Sequence, residues 1–141
     1  MNKRSLITSL IAISAAATLL SGCMTPTPAA PKQMVSLLEP VNGAVVSSPF
    51  KVRFGVQGME VAPAGDVIAN SGHHHLLINL DSIKPGEEIP FTANHMHFGK
   101  GQTEAEVKLA PGNYKLTAQF ANGNHASYGE RMSQTISITV K

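Results

Sequence analysis

The sequence concentrates its histidines between residues 73 and 125. Three are consecutive, two are spaced by one residue and one stands alone: His73, His74, His75, His95, His97 and His125. In a β-strand, side chains at i and i+2 lie on the same face, with Cα atoms about 6.6 Å apart. Two imidazoles at that spacing can bind one ion at metal–nitrogen distances of about 2.0 Å. The spacing therefore predicts two ligand pairs, His73 with His75 and His95 with His97.

Brought together by the fold, the two pairs would form one metal site. Imidazole is a good ligand for Zn, Cu, Fe and Ni, and Cu²⁺ is favoured on affinity alone. A thioether beside imidazoles favours copper, especially Cu(I), and Met96 lies between the histidines of the second pair. We therefore predict Cu or Zn as the cofactor, with three further candidate ligands: His74, Met96 and His125.

The same residues also fit a purely structural role. Neutral imidazole donates a hydrogen bond from one ring nitrogen and accepts one at the other, so adjacent histidines can form a polar cluster that fixes loops. Spacing alone does not give ligand geometry, and both interpretations stay open at this point. His125 follows the turn residues Asn122-Gly123, a position typical of an exposed loop residue.

Position along the strand separates the three consecutive histidines. His74 has the same parity as Leu76 and Ile78, which are expected to face the core. We therefore expect His74 to face the core, and His73 and His75 to lie on the opposite face or at the end of the strand.

The segment Phe98–Thr103 has glycines on both sides of a lysine, but it is not a phosphate-binding loop. It lacks the order G-x-x-x-x-G-K-[ST], and no helical pattern follows it. Gly99 and Gly101 are instead expected to allow a tight turn with positive φ.

A metal-dependent hydrolase is an alternative function, because histidine ligands with an open coordination position can activate water. Glu104 or Glu106 would then be the general base. Both fall on the solvent-facing parity of their predicted strand, and Ser71-Gly72 lacks the flanking pattern of a nucleophile elbow. No complete set of catalytic roles can be assigned, so we predict a protein that is not an enzyme.

Alternation of apolar and polar residues predicts the elements that must position these histidines. It recurs in five segments: 50–56, 76–80, 105–109, 114–120 and 136–140. Turn-forming pairs flank or separate them: Asn42-Gly43, Pro85-Gly86, Pro111-Gly112 and Asn122-Gly123. Short strands with such turns predict an all-β domain over residues 34–141, an immunoglobulin-like antiparallel β-sandwich.

The segment Leu109–Tyr114 resembles the corner before a late strand of many immunoglobulin-like domains. In that corner a tyrosine hydroxyl bonds to the chain a few residues upstream and fixes the crossing between the sheets. The resemblance implies a structural role for Tyr114.

The N-terminus has the three zones of an export signal. Lys3 and Arg4 precede the apolar run Leu6–Leu20, and small residues lead to Cys23. The run has 15 residues, whereas a membrane-spanning helix needs about 20. Leu-Ser-Gly-Cys at 20–23 resembles the lipobox of bacterial lipoproteins, which implies a signal peptide at residues 1–22 and lipid attachment to Cys23.

The lipid on Cys23 would anchor the mature chain to a membrane of the cell envelope. Met24 stands where an aspartate would retain a lipoprotein in the inner membrane, so the resemblance implies an outer-membrane location facing the periplasm. The Pro-rich composition of residues 23–33 predicts an extended linker between this anchor and the domain.

The charge balance limits the classes of partner. Without Lys3 and Arg4 the mature chain has 9 basic and 9 acidic residues, and a net charge of zero argues against a nucleic-acid partner. Cys23 is the only cysteine, so no intrachain disulfide can form.

A further alternative function is an interaction module that docks onto an envelope protein or glycan, with a purely structural histidine cluster.

Three blocks of the sequence resemble a bacterial family known as domain of unknown function 4399. They are Gly72–Asn79, His95–Glu104 and the tail from Leu109 to His125. The resemblance covers roughly residues 45–141 and implies one compact domain with a shared His-rich surface. The family has no established activity, so the resemblance implies no substrate.

Overall fold

A computed structural model describes residues 28–141, and the predicted signal peptide and Cys23 lie outside these residues. The described chain forms nine strands and one 3₁₀ turn at Glu130–Met132. The strands are β1 Met34–Glu39, β2 Val45–Val46, β3 Phe50–Gln57, β4 Glu60–Val61, β5 Ser71–Ile78, β6 His95–His97, β7 Glu104–Val107, β8 Gly112–Ala121 and β9 Ser133–Val140. The predicted all-β class is confirmed. This part of the chain contains no helix with the length and hydrophobicity needed for a membrane span.

Two sheets pack against each other as a sandwich. The smaller sheet has the order β1-β3-β7, and both of its pairings are antiparallel. The larger sheet has the order β2-β9-β8-β5-β4, and β6 also pairs with β5. The β2–β9 and β4–β5 pairings are parallel, so this sheet is mixed rather than purely antiparallel as predicted.

The core lies between the two sheets and follows the predicted alternation. In β3, Phe50, Val52 and Phe54 are buried, while Lys51 and Arg53 between them are exposed. The buried side chains of β3 belong to one hydrophobic cluster with residues of β5, β8 and β9. Side chains from both sheets thus close a single core, as the period-two pattern requires.

The strand β5 differs from the others because all of its residues are buried. One face of β5 contributes to the main core, and the segment 79–94 covers the other face. Leu77, Ile89 and Ala121 form a second buried cluster on that side, with Leu80 and Ile83 packed against it. The backbone N–H of Ile83 donates to Gln119 Oε1 over 3.1 Å, which fixes the covering segment to β8. Polar side chains on either face of β5 are therefore removed from water.

A tyrosine fixes the approach to β8. The Tyr114 hydroxyl donates a hydrogen bond to the Ala110 carbonyl oxygen over 2.9 Å, four residues upstream. The ring of Tyr114 also lies close to Gly112, the first residue of β8. This is the contact that the resemblance to an immunoglobulin-like corner implies.

Tyr114→Phe removes this hydrogen bond and keeps the ring. Because one hydrogen bond typically contributes about 0.5–1.5 kcal/mol, we expect the free energy of unfolding to fall by about 1 kcal/mol. Urea denaturation followed by far-UV circular dichroism measures the change. Equal midpoints for the variant and the parent would contradict the structural role of the hydroxyl.

Candidate metal centre

Strand alternation sends the consecutive histidines of β5 to opposite faces. His74 enters the main core, where its ring stacks on Phe54 with centroids 4.7 Å apart and meets the edge of Phe120 at 4.9 Å. His73 and His75 point to the opposite face, under the segment 79–94. All three imidazoles are at most 1% exposed.

The neighbouring strand brings a third imidazole to this second face. In the antiparallel pairing of β5 with β6, His75 lies opposite His97, Leu76 opposite Met96 and Leu77 opposite His95. Directly opposed residues share a face of the sheet. His97 therefore joins His73 and His75, whereas Met96 packs against the main core on the side of His74.

Four imidazoles meet on this face, and we call His73, His75, His97 and His125 the imidazole cluster. Every two of their ring centroids lie 4.7–5.9 Å apart. The Nε2 atoms of His73 and His75 are 2.9 Å apart, and those of His97 and His125 are 3.2 Å apart. Ligand atoms of His73, His97 and His125 all lie within 4.8 Å of one another. The cluster thus draws on β5, β6 and the β8–β9 connection.

The structure brings together three of the four histidines that the spacing paired. His95 lies on the same face as His97, but its Nδ1 is 2.7 Å from the Thr92 hydroxyl oxygen. The place that sequence reasoning gave to His95 is filled by His125. His74 and Met96, two of the further candidate ligands, lie on the other side of the sheet.

A tight turn positions His125. The side-chain oxygen of Asn122 accepts hydrogen bonds from the backbone N–H groups of Asn124 and Ala126, at 2.9 and 3.0 Å. His125 has φ of +65°, a left-handed conformation in which histidine is enriched among non-glycine residues. Its carbonyl oxygen accepts a hydrogen bond from the N–H of Ile89, which joins the turn to the covering segment. His125 is therefore a fixed, half-buried residue rather than the exposed loop residue expected from sequence.

The connection after β4 holds the two outer segments in place. The N–H of Ala64 donates to the Gly99 carbonyl over 2.8 Å, and the N–H of Gly65 donates to the Gly123 carbonyl over 3.0 Å. One loop is thereby bonded to the turn that follows His97 and to the turn that precedes His125. The relative position of these two imidazoles depends on that loop.

The two glycines of the Phe98–Thr103 segment serve different purposes. Gly101 has φ of +79°, as expected for a tight turn. For Gly99 this expectation is wrong, because its φ lies outside the left-handed range. A Cβ at Gly99 would instead collide with the His97 ring and lie 3.2 Å from the Cβ of Ala64. A side chain at Gly99 would therefore displace the His97 imidazole from its present position.

Burial and mutual repulsion lower the pKa of three imidazoles in the cluster. Desolvation, followed by the charges of His97 and His125, lowers the pKa of His73 from 6.5 to about 4. Desolvation, followed first by the charge of His73, lowers the pKa of His75 to about 2. Desolvation and the charge of His125 also lower the pKa of His97. Imidazole binds metals in its neutral form, so these three rings are in the ligand state at neutral pH.

Two of the nitrogen separations have the length that ligands of one shared ion require. Two nitrogens bound at about 2.0 Å to the same metal lie about 2.8 Å apart at a right angle and about 3.3 Å apart in a tetrahedron. The Nε2 separations of 2.9 and 3.2 Å fall in this range. The Nδ1 atoms of His73 and His75 are buried without a hydrogen-bond partner. A metal-bound histidine usually donates a hydrogen bond from its second ring nitrogen, and this bond raises the affinity for the metal. The residues present therefore fit a metal ion, but they lack acceptors for these second nitrogens.

An aromatic ring borders the open side of the cluster. Phe91 stands edge-on to His97 and His125, with centroids 5.2 and 4.9 Å away. It is 62% exposed and lies in the segment that covers β5. The cluster is thus closed by the sheet on one side and bordered by Phe91 on the other.

This combination of a mixed β-sandwich and a half-buried imidazole cluster defines a small all-β domain with a candidate metal centre. The profile of the family described as Domain of unknown function (DUF4399) matches residues 52–141, and the chain belongs to this family. The resemblance found in the sequence blocks is therefore confirmed. No curated protein matches the chain, and no solved structure matches it.

The lowered pKa values predict a loss of stability in acid. Between pH 6.5 and about 4 the unfolded chain binds protons on His73 and His74 that the folded chain does not. The free energy of unfolding is therefore expected to fall as pH decreases through this range, by up to about 1.4 kcal/mol per unit of pKa difference for each group. Urea denaturation without added metal at pH 7.5, 6.0 and 5.0 measures this slope.

His74→Phe is the matched variant for this experiment. Both ring nitrogens of His74 are buried without a partner, and the ring lies between Phe54 and Phe120. An apolar ring removes one titrating group and leaves the cluster intact, so we expect a shallower pH slope. An unchanged slope would show that protonation of His74 does not limit acid stability.

Gly99→Ala tests the close packing at His97. Overpacking of this kind typically costs about 1–3 kcal/mol of unfolding free energy. The cost should shrink when Gly99→Ala is made in a His97→Ala background, because the colliding ring is gone. Equal costs in both backgrounds, measured by urea denaturation, would contradict the assigned contact.

Proposed function

We propose that this domain binds a divalent transition-metal ion, Cu²⁺ or Zn²⁺, through the imidazole cluster. The observation that carries the proposal is the meeting of four imidazoles from three separate segments. The Nε2 atoms are 2.9 Å apart in His73 and His75 and 3.2 Å apart in His97 and His125, and ligand atoms of His73, His97 and His125 lie within 4.8 Å of one another. His73 and His75 are fully buried and therefore costly to desolvate, and ligation of a metal would compensate for that cost. The neutral state of the buried rings favours ligation further.

The donor set favours divalent ions. All atoms of the cluster that can bind a metal are imidazole nitrogens, which suit Cu²⁺ and Zn²⁺. A thioether would favour Cu(I), but Met96 packs against the main core on the other side of β5. We therefore propose that Cu²⁺ binds more tightly than Zn²⁺, in the order that nitrogen sites usually follow, and that Cu(I) is not the resident ion.

Binding rather than catalysis is the proposed role. The glutamates considered as general bases belong to β7, in the smaller sheet. Glu104 Oε1 is 3.3 Å from Lys51 Nζ, and Glu104 Oε2 is 3.8 Å from Arg53 Nε. The ion pairs occupy Glu104 on a surface of the other sheet, so neither glutamate supports a hydrolytic mechanism at the cluster.

The proposed location is the periplasmic side of the bacterial outer membrane. This proposal rests on the sequence of residues 1–24, which resembles a lipoprotein signal with a lipid attachment site at Cys23. The domain would then be held to the membrane by its N-terminal lipid.

A second candidate is an interaction module in which the cluster is structural. The 2.9 Å separation of His73 Nε2 and His75 Nε2 favours it, because one imidazole can donate to the other at this distance. In that case the four rings would form a hydrogen-bonded support for the covering segment, and another surface of the domain would bind its partner. Metal titration separates the two candidates.

The test is titration of purified, untagged protein with Cu²⁺ and Zn²⁺ at pH 7.5, followed by calorimetry. We expect one ion per chain and a Kd below about 10 μM for Cu²⁺. His97→Gln and His125→Asn should each weaken binding at least about tenfold, since each removes one ligand. Asparagine tolerates the left-handed backbone of His125, so the turn should be retained.

His95→Gln is the matched control, because it lies two residues from His97 but is bonded to Thr92. It should bind Cu²⁺ like the parent. Absence of binding by the parent would refute the metal proposal. Full binding by a chain that carries both His97→Gln and His125→Asn would do so as well.

A further inference from the structure

The N-terminal tether leaves the sandwich at a defined end. Met34, the first residue of β1, pairs with Gln57, the last residue of β3. Three residues after Gln57 β4 begins, and its Glu60 pairs with Ser71 at the start of β5. Ala30, Pro31 and Gln33 line a surface depression together with residues 58–60 and 69–70. We call this part of the molecule the tether end.

The imidazole cluster lies at the same end. His73 is near the start of β5 and pairs with Ala121, the last residue of β8. His97 is the last residue of β6, and His125 follows β8. The loop 62–66, which begins beside the tether, is bonded to the turns next to both of these histidines. The tether and the cluster are therefore joined through one short loop.

The tether is short compared with the domain. Ala30 is seven positions after Cys23 in the sequence, and even a fully extended chain spans at most about 25 Å over that length. A domain of about 100 residues has a radius of gyration of about 13 Å, so its full breadth exceeds 30 Å. A lipid on Cys23 would consequently keep the tether end nearer to the bilayer than the opposite end.

Exposed apolar side chains lie at the start of β1 and in the loop that leads into residues 69–70 of the depression. Val67 and Ile68 are each 55% exposed, and Met34 is 37% exposed. The loop that carries the first two is held by the Ser71 hydroxyl, which donates to the Ile68 carbonyl over 3.0 Å. Asp66 is the only charged residue between positions 62 and 70. A fixed apolar loop with one charge suits the interfacial region of a lipid bilayer.

We propose that the tether end rests on the bilayer to which Cys23 is attached, with Val67 and Ile68 in the lipid interface and the imidazole cluster beside the membrane. This inference rests on the proposed lipid anchor. The contact of two side chains is weak by itself, but the anchor makes it intramolecular and raises the effective concentration of the loop at the surface.

Tryptophan quenching tests the orientation, because the chain contains no tryptophan. Two variants of the lipidated full-length mature protein are compared, Val67→Trp and the matched control Val45→Trp. Each is reconstituted in phosphatidylcholine vesicles that contain brominated phosphatidylcholine. Val45 is 57% exposed and pairs with Thr139 near the end of β9, at the opposite end of the sandwich. We expect at least twofold stronger quenching in V67W than in V45W, together with a blue shift of its emission.

Two results would overturn the orientation. Equal quenching of the two variants, or stronger quenching of V45W, on vesicles that carry the lipidated protein would show that the tether end does not face the bilayer. Mass spectrometry of the same samples reports whether Cys23 carries the lipid. Unmodified Cys23 in protein from a bacterial envelope would refute the anchor and the orientation together, while lipidated protein with the wrong quenching pattern would refute the orientation alone. Copper titration of the vesicles tests the metal proposal independently.

Discussion

The complete burial of β5 is the constraint on which the candidate site depends. Backbone partners occupy both edges of this strand, and packed side chains cover both of its faces. A histidine in such a strand loses its water and is held in the neutral form. The chain places three histidines there in succession, so one must enter the apolar core and two must share the other face. The other two imidazoles of the cluster, His97 and His125, join His73 and His75 on this face.

Strand parity could be predicted from the sequence, and contacts between distant segments could not. The alternation of Leu76 and Ile78 with their neighbours is enough to assign His74 to the core and His73 to the other face. The spacing of His95 and His97 likewise predicts a strand. It does not give the register of that strand, and the register places His97 opposite His75 and leaves His95 beside Thr92. His125 enters the cluster through a turn whose direction depends on contacts some 60 residues away, at Gly65.

The glycines illustrate the same limit. Gly101 lies in a turn, and local sequence is sufficient to explain it. Gly99 leaves room for an imidazole, two residues earlier, that folds back over it, and Gly123 leaves room for the backbone of Asp66, which lies against it. Both contacts arise from packing between segments, so a sequence interpretation assigns these residues only to loops. The overall class, by contrast, follows from period-two alternation and turn residues, which are local properties.

The distance in sequence between His73 and His125 has a consequence for the chain as a whole. An ion held by both would act as a cross-link that closes a loop of about 50 residues, and such closure restricts the unfolded chain much as a disulfide does. The single cysteine leaves the protein without covalent cross-links of its own. A metal ion bound by the four imidazoles would be a reversible cross-link in place of a disulfide. Its stabilising effect would depend on the metal concentration of the surroundings rather than on their redox state.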